Sequence, residues 1–287
     1  MNYISGLKNS VILTINESIP IGYPKKIVTS DASKTGVAAH VEIDERIRVA
    51  YKKFSPKEAE CSSTWRELIA IIFSLKAFGN LLENMKILWR TDNYAASLIV
   101  ASGSRKIKLQ EIAEEIYNFC RKRKIESTVD WIPRENITFV DALSKIPDHD
   151  DWQTTTSFFN ELTSVWGPFD IDRFADEENT KLSRFNSKFY CPGTENVNAF
   201  STPWRGWNNF LVPPVAKVPR VIHHMEASRA KGVLIVPHWP SAAFFPLLCI
   251  SQGQFHSFVK DMKLFSPEGR VTQGKNKDVC FYWFGFF

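Results

Sequence analysis

Lys26-Ile27-Val28-Thr29-Ser30-Asp31-Ala32-Ser33 is an apolar strand that runs straight into an acid. Two further alternating runs follow, 36–43 and 46–54, on either side of the polar pair Asp44-Glu45. Period-two alternation around a polar turn predicts an antiparallel meander. A helix is expected from near Ser63, because Leu68, Ile71, Ile72, Leu75 and Phe78 recur at helical spacing. Thr64-Trp65-Arg66-Glu67 fits a capping box, and Gly79-Asn80 reads as the stop. Lys86 to Arg90 reads as a strand that ends at Asp92. A short helix from Tyr94 comes next, then a longer one with Leu109, Ile112, Ile116, Phe119 and Cys120 on one face. Thr128 to Ile132 reads as a strand, Pro133 to Asn136 as a loop, and a final helix carries Asp141. Three strands, a helix, a strand, helices, a strand and a helix make a mixed sheet with flanking helices, whose ends meet at one edge.

Four acids fall at those ends: Asp31, Glu67, Asp92 and Asp141. Each has an ordinary reading. Asp31 could sit in a turn, Glu67 could be the capping partner of Thr64, Asp92-Asn93 could cap the next helix, and Asp141 could be solvated. Together, beside apolar elements, they are costly unless compensated. Divalent cations are the simplest compensation, since Mg²⁺ prefers carboxylate oxygen. Two such ions about 4 Å apart can activate water and stabilise a leaving oxygen in phosphodiester cleavage.

Composition leaves this reading open. The 287 residues suit one large or two medium domains, and 44% apolar residues suffice for a core. A net charge of +5 allows nucleic-acid binding without demanding it. The five cysteines form no CxxC pair, which disfavours a metal finger or disulfide framework and points to a reducing compartment. No run reaches membrane-spanning length and no signal-peptide pattern opens the chain, so the expected location is intracellular, in cytoplasm or nucleus, with no membrane partner.

Pro147-Asp148-His149-Asp150-Asp151 is the best boundary. It divides the chain into 1–24, a leader or remnant of an upstream polymerase region, then 25–147 and 148–287. The second part reads as a helix (Trp152 to Val165), a strand (Phe169 to Phe174), a strand (Asn209 to Val212), and a helix with Val218, Val221, Ile222 and Met225. The strand Val233 to Val236, a helix through Phe244 and Leu248, and a terminal strand from Val279 follow. The alternation suggests a second α/β unit. His223, His224, His238 and Cys249 match no common zinc spacing.

The order of the four acids resembles the ribonuclease H domain of reverse-transcribing elements. Thr29-Ser30-Asp31-Ala32-Ser33, Arg66-Glu67-Leu68-Ile69-Ala70-Ile71, Arg90-Thr91-Asp92-Asn93 and Asn136 to Lys145 are most similar to the tyrosine-recombinase group, the DIRS and Ngaro elements. Trp166-Gly167-Pro168, Asp172-Arg173-Phe174-Ala175, Arg184-Phe185-Asn186-Ser187 and Val236 to Pro240 resemble the segment that follows in those polyproteins. The resemblance implies a five-stranded mixed sheet and hydrolysis of the RNA strand of an RNA–DNA hybrid. It implies two Mg²⁺ ions, for which Mn²⁺ can substitute. Asp31 and Asp92 would share the ions, Glu67 would hold one beside the 2′-hydroxyl, and Asp141 would hold the second. Ser62, Ser63 and Asn93 would contact the strands, and Arg105, Lys106 and Lys108 the phosphates. A reverse transcriptase domain outside this chain is an implied partner. Many members carry a histidine in the loop before the last aspartate; here Pro133-Arg134-Glu135-Asn136 has none.

The second part resembles, more faintly, the adenine-N6 methyltransferase fold. Phe169-Asp170-Ile171-Asp172, with Ala175 and Asn179, is similar to the segment that approaches the methyl donor. The catalytic Asp/Asn-Pro-Pro-aromatic tetrad is replaced by Val212-Pro213-Pro214-Val215. The resemblance therefore implies a degenerate Rossmann-like domain without S-adenosylmethionine use. A catalytically silent, nucleic-acid- or protein-binding remnant is the alternative for the whole chain, and adenine methylation ranks below both.

Overall fold

The computed structural model describes residues 26–145, 152–251, 253–266, 268–273 and 281–286. The leader and the whole boundary stretch, residues 147–151, lie outside the described residues. The first sheet contains β1 (Lys26–Ala32), β2 (Gly36–Ile43), β3 (Arg46–Lys53), β4 (Lys86–Thr91) and β5 (Glu126–Trp131) in the order β3-β2-β1-β4-β5. The meander β1–β2–β3 is antiparallel, with Asp44 and Glu45 both at positive φ in its turn. β4 and β5 join parallel to β1. This is the expected mixed α/β architecture.

The short helix α1 (Pro56–Ala59) leads into α2 (Ser63–Leu82), which buries Leu68, Ile71, Ile72, Leu75 and Phe78 against the sheet. Its start differs from the capping-box expectation. Ser62 is the N-cap and its Oγ accepts the Trp65 N–H at 3.2 Å, which leaves Glu67 in the second turn and free of any capping duty. Gly79 does not stop the helix. A Cβ there would lie 2.9 Å from the Phe119 ring, so the glycine admits α4 (Ile107–Lys122) against α2. α3 (Tyr94–Ser102) connects β4 to α4, and α5 (Thr138–Ser144) closes the unit.

The second sheet has five strands, in the order β14 (Val259–Phe265), β16 (Phe281–Phe286), β11 (Lys231–Pro237), β10 (Asn208–Leu211) and β7 (Ile171–Asp172). The chain enters it through β6 (Trp152–Thr154) and α6 (Thr156–Trp166), where one long helix was expected. Thr155 caps α6, accepting the Phe158 N–H at 3.3 Å, and so sets the later start. The strand expected over 169–174 shrinks to β7 (Ile171–Asp172), because Arg173 turns inward to polar partners. β8 (Asn186–Ser187) and β9 (Asn196–Val197) form a small parallel pair. β10 (Asn208–Leu211), α7 (Val218–Ser228) and β11 (Lys231–Pro237) build a parallel crossover. The helix expected through Phe244 and Leu248 is a single 3-10 turn, Phe245–Leu247, interrupted by Pro246. β12 (Cys249–Ser251) pairs with β13 (Gln254–Phe255), and β15 (Val271–Gln273) with β6. β16 (Phe281–Phe286) pairs antiparallel with β11, and β14 (Val259–Phe265) pairs antiparallel with β16, which completes the sheet.

The two parts are packed together. Ala175, Phe185 and Cys191 belong to the same buried cluster as Leu68, Ile71 and Trp89. The Tyr190 N–H donates to the Val49 carbonyl at 2.8 Å, and Lys52 bridges Glu58 at 3.1 Å and Glu178 at 3.4 Å. Gly232 marks a close approach: a Cβ there would lie 2.4 Å from the Asn209 carbonyl oxygen. Gly232→Ala should therefore destabilise the second sheet by about 1–3 kcal/mol, measured by denaturant unfolding.

Candidate metal centre and its surroundings

β1 and β4 are adjacent and parallel, so Asp31 at the end of one and Asp92 just beyond the other reach the same sheet edge. α2 brings Glu67 to that edge in its second turn. One ligand oxygen from each of Asp31, Glu67 and Asp92 lies within 4.8 Å of the others. Asp31 and Glu67 are only 2% and 3% exposed. Both Glu67 oxygens are held: Oε1 accepts the Ala32 N–H at 3.1 Å and Oε2 the Thr91 hydroxyl at 3.4 Å. Asp31 Oδ2 accepts the Ser144 hydroxyl at 2.6 Å, which ties β1 to α5. These bonds fix the carboxylates without neutralising them.

The electrostatics divide the four acids. Burial pushes the Asp31 carboxyl above its ordinary value, the Ser144 hydroxyl pulls it back, and the charges of Asp92 and Asp141 raise it again. Burial, then Asp31 and Asp92, push Glu67 well above its usual range. Asp92 is also raised, chiefly by burial, against the opposing pull of Arg134. Asp141 is lowered, because Lys145 and Arg134 hydrogen-bond to it. Lys145 Nζ lies 2.5 Å from Asp141 Oδ2, while Arg134 Nε donates to Oδ1 at 3.1 Å and Nη2 contacts the same oxygen. Arg134 Nε also lies 3.9 Å from Asp92 Oδ2. So Asp31 and Glu67 form no ion pair among the described residues, Asp92 has only the more distant Arg134, and Asp141 is doubly paired.

The donor set fits a hard divalent cation. Three carboxylates at one edge, two of them buried and all raised, are what such an ion would stabilise. The raised Glu67 carries a stability consequence. An acid with a raised folded pKa has no penalty below its unfolded value and a growing one as pH rises through the folded value. Glu67→Gln should therefore raise the melting temperature of metal-free protein at neutral pH, an advantage that added Mg²⁺ shrinks. Equal melting temperatures with chelator would refute the strain.

The other sequence candidates fall in different places. Asn93 is the N-cap of α3, its Oδ1 accepting the Ala96 N–H at 2.9 Å. Ser62 is occupied in capping α2, and Ser63 is exposed at its first position. Arg105, Lys106 and Lys108 are exposed between α3 and the first turn of α4, and none forms an ion pair among the described residues. Arg134, Ser144 and Lys145 were not singled out by sequence. A cation in the loop before the last acid, and another four residues after that acid, were the available signals. Trp131 Nε1 donates to the Asp92 carbonyl at 2.9 Å and was likewise missed.

In the second part, Asp172 is buried and its Oδ1 has no hydrogen-bond partner among the described residues. Its Oδ2 accepts the Lys181 N–H at 3.2 Å, and burial pushes its pKa up to about 7. Val212 is packed among Phe158, Phe169 and Phe210, and the Pro213 carbonyl accepts Trp152 Nε1 at 3.1 Å. Pro214 opens the 3-10 turn Val215–Lys217. Arg173, missed by sequence, donates to Asn209 at 2.7 Å, Asn186 at 2.9 Å, Thr202 at 2.8 Å and the Pro203 carbonyl at 2.9 Å. Burial lowers its pKa to about 10.

Residues 24–119 match the family described as the RNase H-like domain found in reverse transcriptase. Residues 141–261 match DNA N-6-adenine-methyltransferase (Dam). The chain carries an RNase H-like domain with a Dam-family domain downstream. The first match includes Asp31, Glu67 and Asp92 and ends before Asp141. Among solved structures, the chain is similar to RNase H1 from the archaeon Halobacterium salinarum NRC-1 (13% identity, 42% of this chain, 94% of that chain, TM-score 0.34). It is similar to the N-terminal RNase H domain of rv2228c from Mycobacterium tuberculosis (14% identity, 42% and 95%, TM-score 0.36). It is also similar to LC11-RNase H1 in complex with RNA/DNA hybrid (19% identity, 42% and 93%, TM-score 0.32). No curated protein matches the chain. Among the described residues, no helix is long and apolar enough to cross a membrane.

Proposed function

We propose that the chain is a retroelement-derived, metal-dependent ribonuclease H that hydrolyses the RNA strand of RNA–DNA hybrids. The observation that carries this reading is the convergence of Asp31, Glu67 and Asp92 at one sheet edge. The match of 24–119 to a domain found in reverse transcriptase supports the substrate class and an origin in a reverse-transcribing element, with the DIRS and Ngaro motifs as the finer assignment. Asp31, Glu67 and Asp92 would hold Mg²⁺ or Mn²⁺, and Asp141 would join them for a second ion. When bound, the ions supply an activated water and neutralise charge on the leaving oxygen. The chain's own part is positioning. The Ala32 amide and Thr91 hydroxyl orient Glu67, and Ser144 orients Asp31. Asn93, Ser62 and Ser63 would lie along the hybrid, with Arg105 and Lys106 taking phosphates.

The Dam-family match makes adenine methylation the second reading for the downstream part. Val212 argues against it: the position that would accept the target amino hydrogen is apolar and packed in the core. In our reading this part, from about residue 148, keeps the fold without methyl transfer and uses no S-adenosylmethionine.

The test is incubation of the folded chain with an end-labelled hybrid in Mg²⁺ and in Mn²⁺. Cleavage confined to the RNA strand is expected. Intact hybrid in both metals would favour the silent binding remnant.

A further inference from the structure

Arg134 occupies the loop position between β5 and α5, and it reaches two of the four acids. Its Nε lies 3.1 Å from Asp141 Oδ1 and 3.9 Å from Asp92 Oδ2. Lys145 reaches Asp141 alone, at 2.5 Å. Both Asp141 oxygens thus have a cation beside them, so a divalent ion that approaches this acid meets their positive charge. Arg134 is the movable partner. Its side chain is 61% exposed and stands on a three-residue 3-10 turn, Arg134–Asn136, whose N-cap makes no side-chain hydrogen bond. It also shares the Asp92 carboxylate with the three-acid group, so its charge bears on both halves of the cluster.

Resting on the nuclease reading above, we propose that Arg134 is an internal counter-cation that competes with the divalent ion for Asp92 and Asp141. It holds the acids together before an ion arrives and yields its place to that ion. It is a positioning residue: it acts through the carboxylates. A guanidinium suits this duty because its fork of donors can grip a carboxylate oxygen and let go without changing protonation.

The test is Mn²⁺ binding without nucleic acid, with free ion counted by electron paramagnetic resonance. Arg134→Ala should bind Mn²⁺ more tightly than wild type, on the order of fivefold, as expected for losing one largely solvent-exposed competing pair. Arg134→Lys should fall between them. Arg46→Ala, at the exposed first position of β3, controls for the loss of one positive charge anywhere and should bind as wild type does. The sign of the change is decisive, because a merely structural Arg134 would weaken binding when removed. Unchanged or weaker binding by Arg134→Ala overturns the proposal, as does equal tightening by Arg46→Ala. Those results leave the nuclease reading standing if wild type binds Mn²⁺. Absence of binding by wild type and Arg134→Ala alike overturns both.

Discussion

Asp92→Asn should reduce hybrid cleavage by about a thousandfold while leaving the fold intact. Asp92 is the acid that joins the two halves of the cluster, with an oxygen within 4.8 Å of one from Asp31 and one from Glu67, and facing Arg134. Replacing one of its oxygens by an amide nitrogen removes a metal ligand and a negative charge at once. A thousandfold loss corresponds to roughly 4 kcal/mol of transition-state stabilisation. The fold should tolerate the change, because burial raises the Asp92 carboxyl and the charge is a burden in metal-free protein. The main-chain carbonyl that accepts Trp131 Nε1 is untouched by the substitution. The check is single-turnover cleavage alongside thermal unfolding with chelator. A loss of only a few fold, with an unshifted melting curve, would move Asp92 out of the metal centre.

The second large effect concerns stability. Asp172 should make the protein less stable as pH rises from about 4 to about 7. Its folded pKa of about 7 exceeds the ordinary carboxylate value of 3.8 because the group is buried. Below 3.8 both folded and unfolded states hold the proton, and no penalty exists. Between the two values the unfolded chain ionises while the folded one keeps its proton, so unfolding gains with each pH step. Above about 7 the full penalty, roughly 4 kcal/mol, has accumulated. Asp172→Asn removes the titrating group and keeps an oxygen for the Lys181 N–H. The variant should match wild type at pH 4 and exceed it at pH 8 in urea unfolding. Parallel stability profiles would show that Asp172 is not held neutral in the fold.

The same acid shows where sequence reading stopped. Asp172 lies in a short motif that marked it as a chemical residue, yet nothing in the motif indicated that one oxygen would be buried without a partner among the described residues. In the sequence, Arg173 beside it is only part of the Asp172-Arg173-Phe174-Ala175 motif, with no role of its own. Only packing revealed that four polar groups surround it, because those groups come from residues 13 to 36 positions further along the chain. The helix boundaries failed for a local reason. Ser62 and Thr155 each compete with a nearby hydroxyl residue for the cap, and the winner depends on which backbone N–H groups point at it.

What the sequence determined by itself was the mixed sheet of the first part and the elements that carry the acids, with Asp31 and Asp92 at strand ends and Glu67 and Asp141 on helices. Alternation with period two and recurrence near 3.6 are properties of the local chain, and they survive any packing consistent with one buried face. The tertiary structure decided the rest. It brought Asp31, Glu67 and Asp92 within 4.8 Å across 61 residues of sequence, and it withdrew Asp141 into pairs with Arg134 and Lys145. It also packed residues near 175–191 into the first core. The reason is physical: charge interactions depend on distance through space and on burial, and neither is written in the order of residues along the chain.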